Sequence, residues 1–278
     1  SLRKAIINMD VMPSMRALMT AGPALERDNV AGYNCAYLAV DNMYAFSEAT
    51  YILMCGTGVG FSVEKQYVDQ LPVVPEMDQA EGVIVVGDSK YGWSNSVRDL
   101  IVSLYSGEIP REVDYSDVRA AGERLKIFGG RASGPAPLKK LHDFIIYTFR
   151  KAEGRRLTPL ECHDIMCMIG DVVVCGGVRR SALISLSDIE DEEMANAKTG
   201  EWYNSHIHRA LANNSAVYPA DMGNNQFMAE WNTVRESGSG ERGIFSRDAC
   251  KIPERRERRD FGTNPCSEIV LRNKQFCN

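Results

Sequence analysis

Short apolar runs and longer amphipathic stretches alternate along this chain, and no segment of its 278 residues repeats. The run Tyr33-Asn34-Cys35-Ala36-Tyr37-Leu38-Ala39-Val40 is apolar and aromatic over the length of a strand, which predicts a buried strand. After Asp41-Asn42, read as a cap, the stretch MYAFSEATYILMC carries apolar residues at helical spacing. It closes in the glycine turn Gly56-Thr57-Gly58-Val59-Gly60, which leads into a strand at Phe61-Ser62-Val63. The same grammar continues with a strand near 82–86, a helix near 94–105, and helices near 138–152 and 158–174. The last of these opens on Thr158-Pro159 with Glu161 in its first turn, as helix N-termini prefer. Ala182 to Leu186 reads as a strand, 188–240 as acidic and Asn-rich loops around one helix at 225–236, and 243–246 as another strand. An N-terminal helix-like Met/Leu pattern, DVMPSMRALMTAGPAL, is closed by Gly22-Pro23. Strand followed by helix, over and over, defines an α/β chain with a largely parallel sheet.

Composition narrows the partners. With 44% apolar residues, 25% charged residues and a net charge of -5, the chain can bury one large core and lacks the positive field that holds nucleic-acid polymers. Single nucleotides need only a few local contacts. No run of eighteen apolar residues exists and the N-terminus lacks the apolar core of a signal peptide, so the expectation is a cytoplasmic protein with no membrane partner. Eight cysteines without a repeated spacing are expected to be free thiols in a reducing compartment, pairing only as part of chemistry. The chain begins without Met and stops one residue after Cys277, inside what reads as a continuing element, and is expected to be a piece of a longer protein.

Chemistry concentrates in Gly262 to Asn278, GTNPCSEIVLRNKQFCN. Here Asn264, Cys266 and Glu268 alternate around Pro265, and a second cysteine, Cys277, follows eleven residues after the first. The Asn-Pro-Cys-x-Glu core resembles the finger loop of the ribonucleotide reductase catalytic chain. The trailing LRNKQFCN is similar to the adenosylcobalamin-dependent, class II branch.

That resemblance implies the first part of a ten-stranded α/β barrel with a central finger loop at about 262–270, residues 1–278 forming one catalytic-barrel unit. It implies thiyl-radical reduction of ribonucleoside di- or triphosphates, with Cys266 as the radical carrier, Glu268 as the general base and Asn264 as a positioning donor. Pro265 would stiffen the turn that carries them. Cys35 and Cys277 would supply the two electrons while closing to a disulfide, which demands Cα atoms within about 7 Å. Substrate contacts fall on Asn34, Gly56, Gly58 and Pro265. Cys175-Gly176-Gly177-Val178-Arg179-Arg180-Ser181 is similar to the second specificity loop, so Gly176, Gly177, Val178, Arg179 and Arg180 are expected to meet a deoxynucleotide effector. The Gly- and Pro-rich stretch 126–137 stands where the first specificity loop belongs. Adenosylcobalamin as cofactor and an external thiol reductant such as thioredoxin complete what the resemblance implies.

Other readings stay open at this level. A class I-like chain with a separate radical-generating subunit, a non-catalytic effector-binding piece and a nicotinamide-dependent dehydrogenase each explain part of the pattern. His163 and Cys167 share a helix face but have no third close ligand, and His206-x-His208 could point the same way on a strand yet sits in an Asn- and Ala-rich, surface-like stretch, so no metal site is expected. Trp93, Trp202 and Trp231 are scattered, which fits core or interface roles. The run Arg255-Arg256-Glu257-Arg258-Arg259 reads as a solvated charged face, Gly-Gly at 176–177 also suits a helix end, and Cys55, Cys162 and Cys250 read as structural.

Overall fold

The structure is a computed structural model that describes residues 1–124, 131–175, 181–250 and 261–278. Three short helices, α1 (Leu2–Ile7), α2 (Met15–Thr20) and α3 (Pro23–Arg27), precede β1 (Cys35–Ala39). Helix α4 (Ala45–Met54) returns the chain to β2 (Gly58–Ser62), and α5 (Lys65–Val68) follows. Next come β3 (Asp78–Gln79), β4 (Val83–Val85), α6 (Lys90–Tyr105), β5 (Glu108–Ile109) and β6 (Glu112–Asp114), which form two small parallel pairs, β3 with β5 and β4 with β6. Helices α7 (Ala136–Lys151) and α8 (Pro159–Cys175) lead to β7 (Leu183–Asp188). The remainder holds α9 (Glu192–Ala195), α10 (Trp202–Ser205), β8 (Ala212–Val217), α11 (Asn224–Ser237), β9 (Gly243–Phe245), β10 (Phe261–Thr263), β11 (Val270–Arg272) and β12 (Gln275–Cys277).

The main sheet has the order β12-β1-β2-β7-β8-β9, parallel throughout except that β12 runs antiparallel to β1. It is therefore a mixed, parallel-dominated α/β sheet of six described strands with β12 and β9 at its edges. Ten strands closed into a barrel are not present among the described residues.

Strand periodicity sorts the two faces. Ala36 and Leu38 of β1 and Val59 and Phe61 of β2 join the large apolar core built with α4, α6, α7 and α8, where Phe46, Leu100, Leu141, Phe149 and Ile165 are inaccessible to solvent. The alternate residues face the other way: Tyr37 packs with Leu186, Phe245 and Leu271 in a second, smaller cluster that Cys277 borders. Helix α8 opens on a reciprocal capping box, with Thr158 N donating to Glu161 Oε2 at 2.9 Å and Glu161 N donating to Thr158 Oγ1 at 3.2 Å.

Three local expectations are corrected. Gly58 and Gly60 lie inside β2 and not in a turn ahead of it. Asn42 is not the helix cap; it accepts the N–H of Tyr44, the residue that stands at the N-cap of α4. The stretch read as loops around one helix contains β8, a six-residue strand between β7 and β9. Its polar Asn213, Asn214 and Ser215 hid it, because a strand flanked on both sides is held by ladder hydrogen bonds that its composition does not advertise.

Candidate radical and dithiol site

Strands β10 and β11 form an antiparallel hairpin laid over the second face of the sheet, with Phe261 opposite Arg272 and Thr263 opposite Val270. Asn264 to Ile269 make its tip. The buried Asn264 closes that loop from within: its N–H donates to Ile269 O at 3.1 Å, Ile269 N donates to its Oδ1 at 2.9 Å, and its carbonyl accepts Ser267 N at 3.0 Å. Ser267 takes a positive φ of 66°, so the turn reverses sharply and leaves Cys266, Ser267 and Glu268 exposed on the outside.

The hairpin lies so close that only glycine fits beneath it. A Cβ on Gly60 would stand 1.8 Å from Thr263 O, and one on Gly262 would stand 2.0 Å from the Tyr37 ring. A Cβ on Gly58 would meet Pro265 Cγ at 2.9 Å. The hairpin-facing residues of β2 are thus Gly58, Gly60 and Ser62, small at each step while Val59 and Phe61 serve the core.

Cys35 and Cys277 are directly opposite one another in the β1–β12 ladder, and Asn34 N donates to Cys277 O at 2.9 Å. Opposed residues of an antiparallel pair have Cα atoms about 4.5–5.5 Å apart, inside the reach of a disulfide. Both are free thiols. Asn264 Nδ2 donates to Cys35 Sγ at 3.5 Å, which joins the loop to the pair.

Electrostatics draws the third sulfur in. Partial burial, the Glu268 carboxylate and then Cys35 push the Cys266 thiol upward from its ordinary value. Cys277 is pushed up to about 11 by burial, by the neighbouring Cys35 and by the hydrogen bond between them, with Glu268 adding to the shift. Cys266 and Cys277 therefore keep their S–H protons at neutral pH, the form from which a hydrogen atom can be taken or given. Alkylation of Cys277 by iodoacetamide is expected to accelerate only as pH rises through about 11, well above the roughly 8.5 of a free thiol. A midpoint at the free-thiol value would show that the two sulfurs are not in contact.

The expected substrate residues border this place. Asn34 O accepts Gly58 N at 2.9 Å, Asn34 Oδ1 accepts Arg16 Nε at 3.4 Å, and Gly56, at φ 78°, offers its carbonyl to the same guanidinium. Gly58 is covered by Pro265. Sequence reasoning missed Arg16 and Ser14, which tie α2 to the residues flanking the thiols; Ser14 Oγ donates to Asn278 Oδ1 at 2.8 Å. An isolated Arg and Ser carry no spacing signal. The expected effector residues Gly176, Gly177, Val178, Arg179 and Arg180 lie outside the described residues, as do 126–130 of the earlier loop and the charged run 254–260.

The weaker constellations resolve into core chemistry. His163 and Cys167 are fully buried 3.4 Å apart, and burial lowers His163 to about 3. His206 and His208 do approach a carboxylate, Asp164, closely enough to share an ion. Arg209 already holds both its oxygens, Nε and Nη2 each donating at 2.7 Å. Burial pushes that carboxyl up, but the hydrogen bonds from Arg209 and His208 outweigh it and hold the group well below the usual carboxylate range. His208 is buried, not on the surface-like stretch its neighbours suggested.

No protein-family model matches the chain. Among curated proteins, it is 29% identical to an adenosylcobalamin-dependent ribonucleoside-triphosphate reductase of Euglena gracilis, over 99% of this chain and 39% of that protein. It is 31% identical to the protein of the same description from Levilactobacillus brevis, over 81% of this chain and 36% of that one. The fold matches a crystal structure of a B12-dependent, class II ribonucleotide reductase with a TM-score of 0.79 and 26% identity, covering 98% of this chain and 46% of the other. The chain is a relative of the ribonucleotide reductase catalytic chains. More narrowly, it is related to the adenosylcobalamin-dependent, class II type, and it spans less than half the length of these relatives.

Proposed function

We propose that this chain carries the thiyl-radical and dithiol machinery of a ribonucleotide reductase, working on a ribonucleoside di- or triphosphate with adenosylcobalamin as radical source. One observation carries the reading: the Cys35–Cys277 pair is in register on two adjacent strands, and the loop that holds Cys266 is hydrogen-bonded to it through Asn264. A nicotinamide dehydrogenase is disfavoured by the same geometry, since Gly58 and Gly60 lie beneath Pro265 and Thr263, where a pyrophosphate would need room.

Fit to the cobalamin is tested on the thiol and on the histidines. Cys266 is exposed and kept as S–H, which suits a partner that removes a hydrogen atom from outside the loop. The histidines are engaged elsewhere, His142 with Ser96 and Tyr115, His163 with Cys167, and His206 and His208 around Asp164, so this stretch offers the reacting sulfur and not a cobalt ligand. When bound, adenosylcobalamin supplies the radical that makes Cys266 a thiyl.

In the resulting mechanism the Cys266 sulfur takes the 3'-hydrogen of the ribose, and Glu268 accepts the 3'-hydroxyl proton as the 2'-oxygen leaves as water. Cys35 and Cys277 each give up a hydrogen and join as a disulfide, so one ribonucleotide and two thiols become one deoxyribonucleotide, one disulfide and one water. The Cys266 sulfur then returns its hydrogen to the 3' carbon. Asn264 commits one N–H to Cys35 and its Oδ1 to Ile269, which leaves its second N–H for the sugar. A thioredoxin-like dithiol resets the pair. In this reading the edges β9 and β12 receive the strands that complete a ten-stranded barrel in the cytoplasmic enzyme, and the residues between α8 and β7 meet a deoxynucleotide effector.

The test is deoxynucleotide formation by the full-length protein with and without adenosylcobalamin. Cobalamin-dependent product is expected; product formed equally well in its absence would move the radical source to another subunit, and no product under either condition would refute the reading.

A further inference from the structure

Beneath the hairpin, a buried ion pair joins three strand ends. Glu64, 2% exposed, lies two residues past β2, and Arg247, 8% exposed, lies two residues past β9. Arg247 Nη1 donates to Glu64 Oε1 at 2.8 Å and Nη2 to Oε2 at 2.5 Å, while its Nε donates to the carbonyl of Phe261, the first residue of β10, at 2.6 Å. Ser62 Oγ and Gln66 Nε2 also donate to the carboxylate, at 2.7 and 3.1 Å.

We propose that Arg247 and Glu64 are positioning residues for the radical cysteine: the guanidinium grips the base of the finger hairpin and so sets where Cys266 stands over Cys35 and Cys277. The proposal rests on the function proposed above and names the support that function needs.

A buried ion pair is a poor way to add stability, because removing two charges from water offsets most of their attraction and an apolar pair of equal volume does as well. Direction is what it adds. A guanidinium is a planar fork whose N–H groups leave at set angles, so one side chain that satisfies a carboxylate and a backbone carbonyl together fixes both in one plane; a lysine ammonium cannot do this. Under β10 itself the seat is permissive. Gly60 under Thr263 and Gly262 over Tyr37 let the hairpin come close but present no side chain that selects a position along the strands. The tip is joined to the pair by a 3.5 Å contact from Asn264 to Cys35. The β11 end of the hairpin is held where it turns into β12, with Asn273 Oδ1 accepting Ala39 N at 2.9 Å and Asn273 Nδ2 donating to Asp41 Oδ2 at 2.8 Å; the clamp holds the other end, β10, the strand that runs directly into Asn264 and Cys266.

The test uses Arg247→Lys and, as a shape-preserving second variant, Glu64→Gln in the full-length protein. Hydrogen exchange and melting temperature are measured without cofactor, then kcat and KM with adenosylcobalamin. Exchange in peptides covering 261–272 is expected to quicken by about tenfold, the opening of a locally held unit, with the rest of the chain unchanged. The turnover number is expected to fall by about 100-fold at unchanged KM, the scale of an ångström-sized misplacement. Unaltered exchange in the finger, a uniform rise everywhere with a lowered melting temperature, or quickened exchange with kcat retained would each overturn the clamp. A wild-type protein that makes no deoxynucleotide would instead overturn the function, and the exchange data would still decide whether Arg247 and Glu64 hold the hairpin.

Discussion

Cys266→Ser is expected to abolish deoxynucleotide formation in the full-length protein while leaving its stability within about 0.5 kcal/mol of wild type, as for an exposed loop side chain. The hydroxyl is nearly isosteric with the thiol and could keep the loop's shape, because the bonds that shape the tip come from Asn264 and the backbone. What changes is the bond that must break. An O–H bond is stronger than an S–H bond by many times the ~1.4 kcal/mol that costs each factor of ten in rate, so hydrogen abstraction falls below detection. Product assay together with urea unfolding checks both halves. Turnover that survives the substitution would remove Cys266 from the chemistry.

Gly60→Ala is expected to have a large structural effect for a single methyl group. The new Cβ would lie 1.8 Å from the Thr263 carbonyl oxygen and 2.9 Å from its carbon, both backbone atoms, so no rotamer change relieves the clash. The hairpin must lift by more than an ångström or β2 must bend. Overpacking of this kind costs about 1–3 kcal/mol and at times more, and the upper end is expected where backbone meets backbone. A hairpin lifted at Thr263 also carries Asn264 off Cys35, so activity should fall with stability. The control is Gly82→Ala, where the methyl would meet open space and the change should stay under about 1 kcal/mol. Equal urea midpoints for the two variants would show that the hairpin does not rest on β2.

The alternation of apolar strand runs with helical stretches was legible because each element's periodicity is local, and the Thr158/Glu161 box announced α8 for the same reason. The candidate chemistry was legible as a string around Cys266, since Asn264, Pro265 and Glu268 stand within a few residues of it. Much else was not. Nothing near Glu64 or Arg247 hinted that residues 183 positions apart form one buried pair. The glycines of β2 looked like a turn because their small size answers to a hairpin about two hundred residues away in sequence, and β8 looked like loop because its neighbours, not its composition, hold it in the sheet.

What the amino-acid order determined by itself, then, is the alternation of its strongly periodic strands and helices and which short string holds the candidate reactive groups, since both depend on interactions within a few residues. Only the tertiary structure decided that Cys35 faces Cys277, that Asn264 reaches the pair, and that a glycine-lined strand and a buried guanidinium seat the loop. Those relations join residues far apart along the chain, and strand pairing, close packing and the exclusion of water, which act in space, are what bring them together.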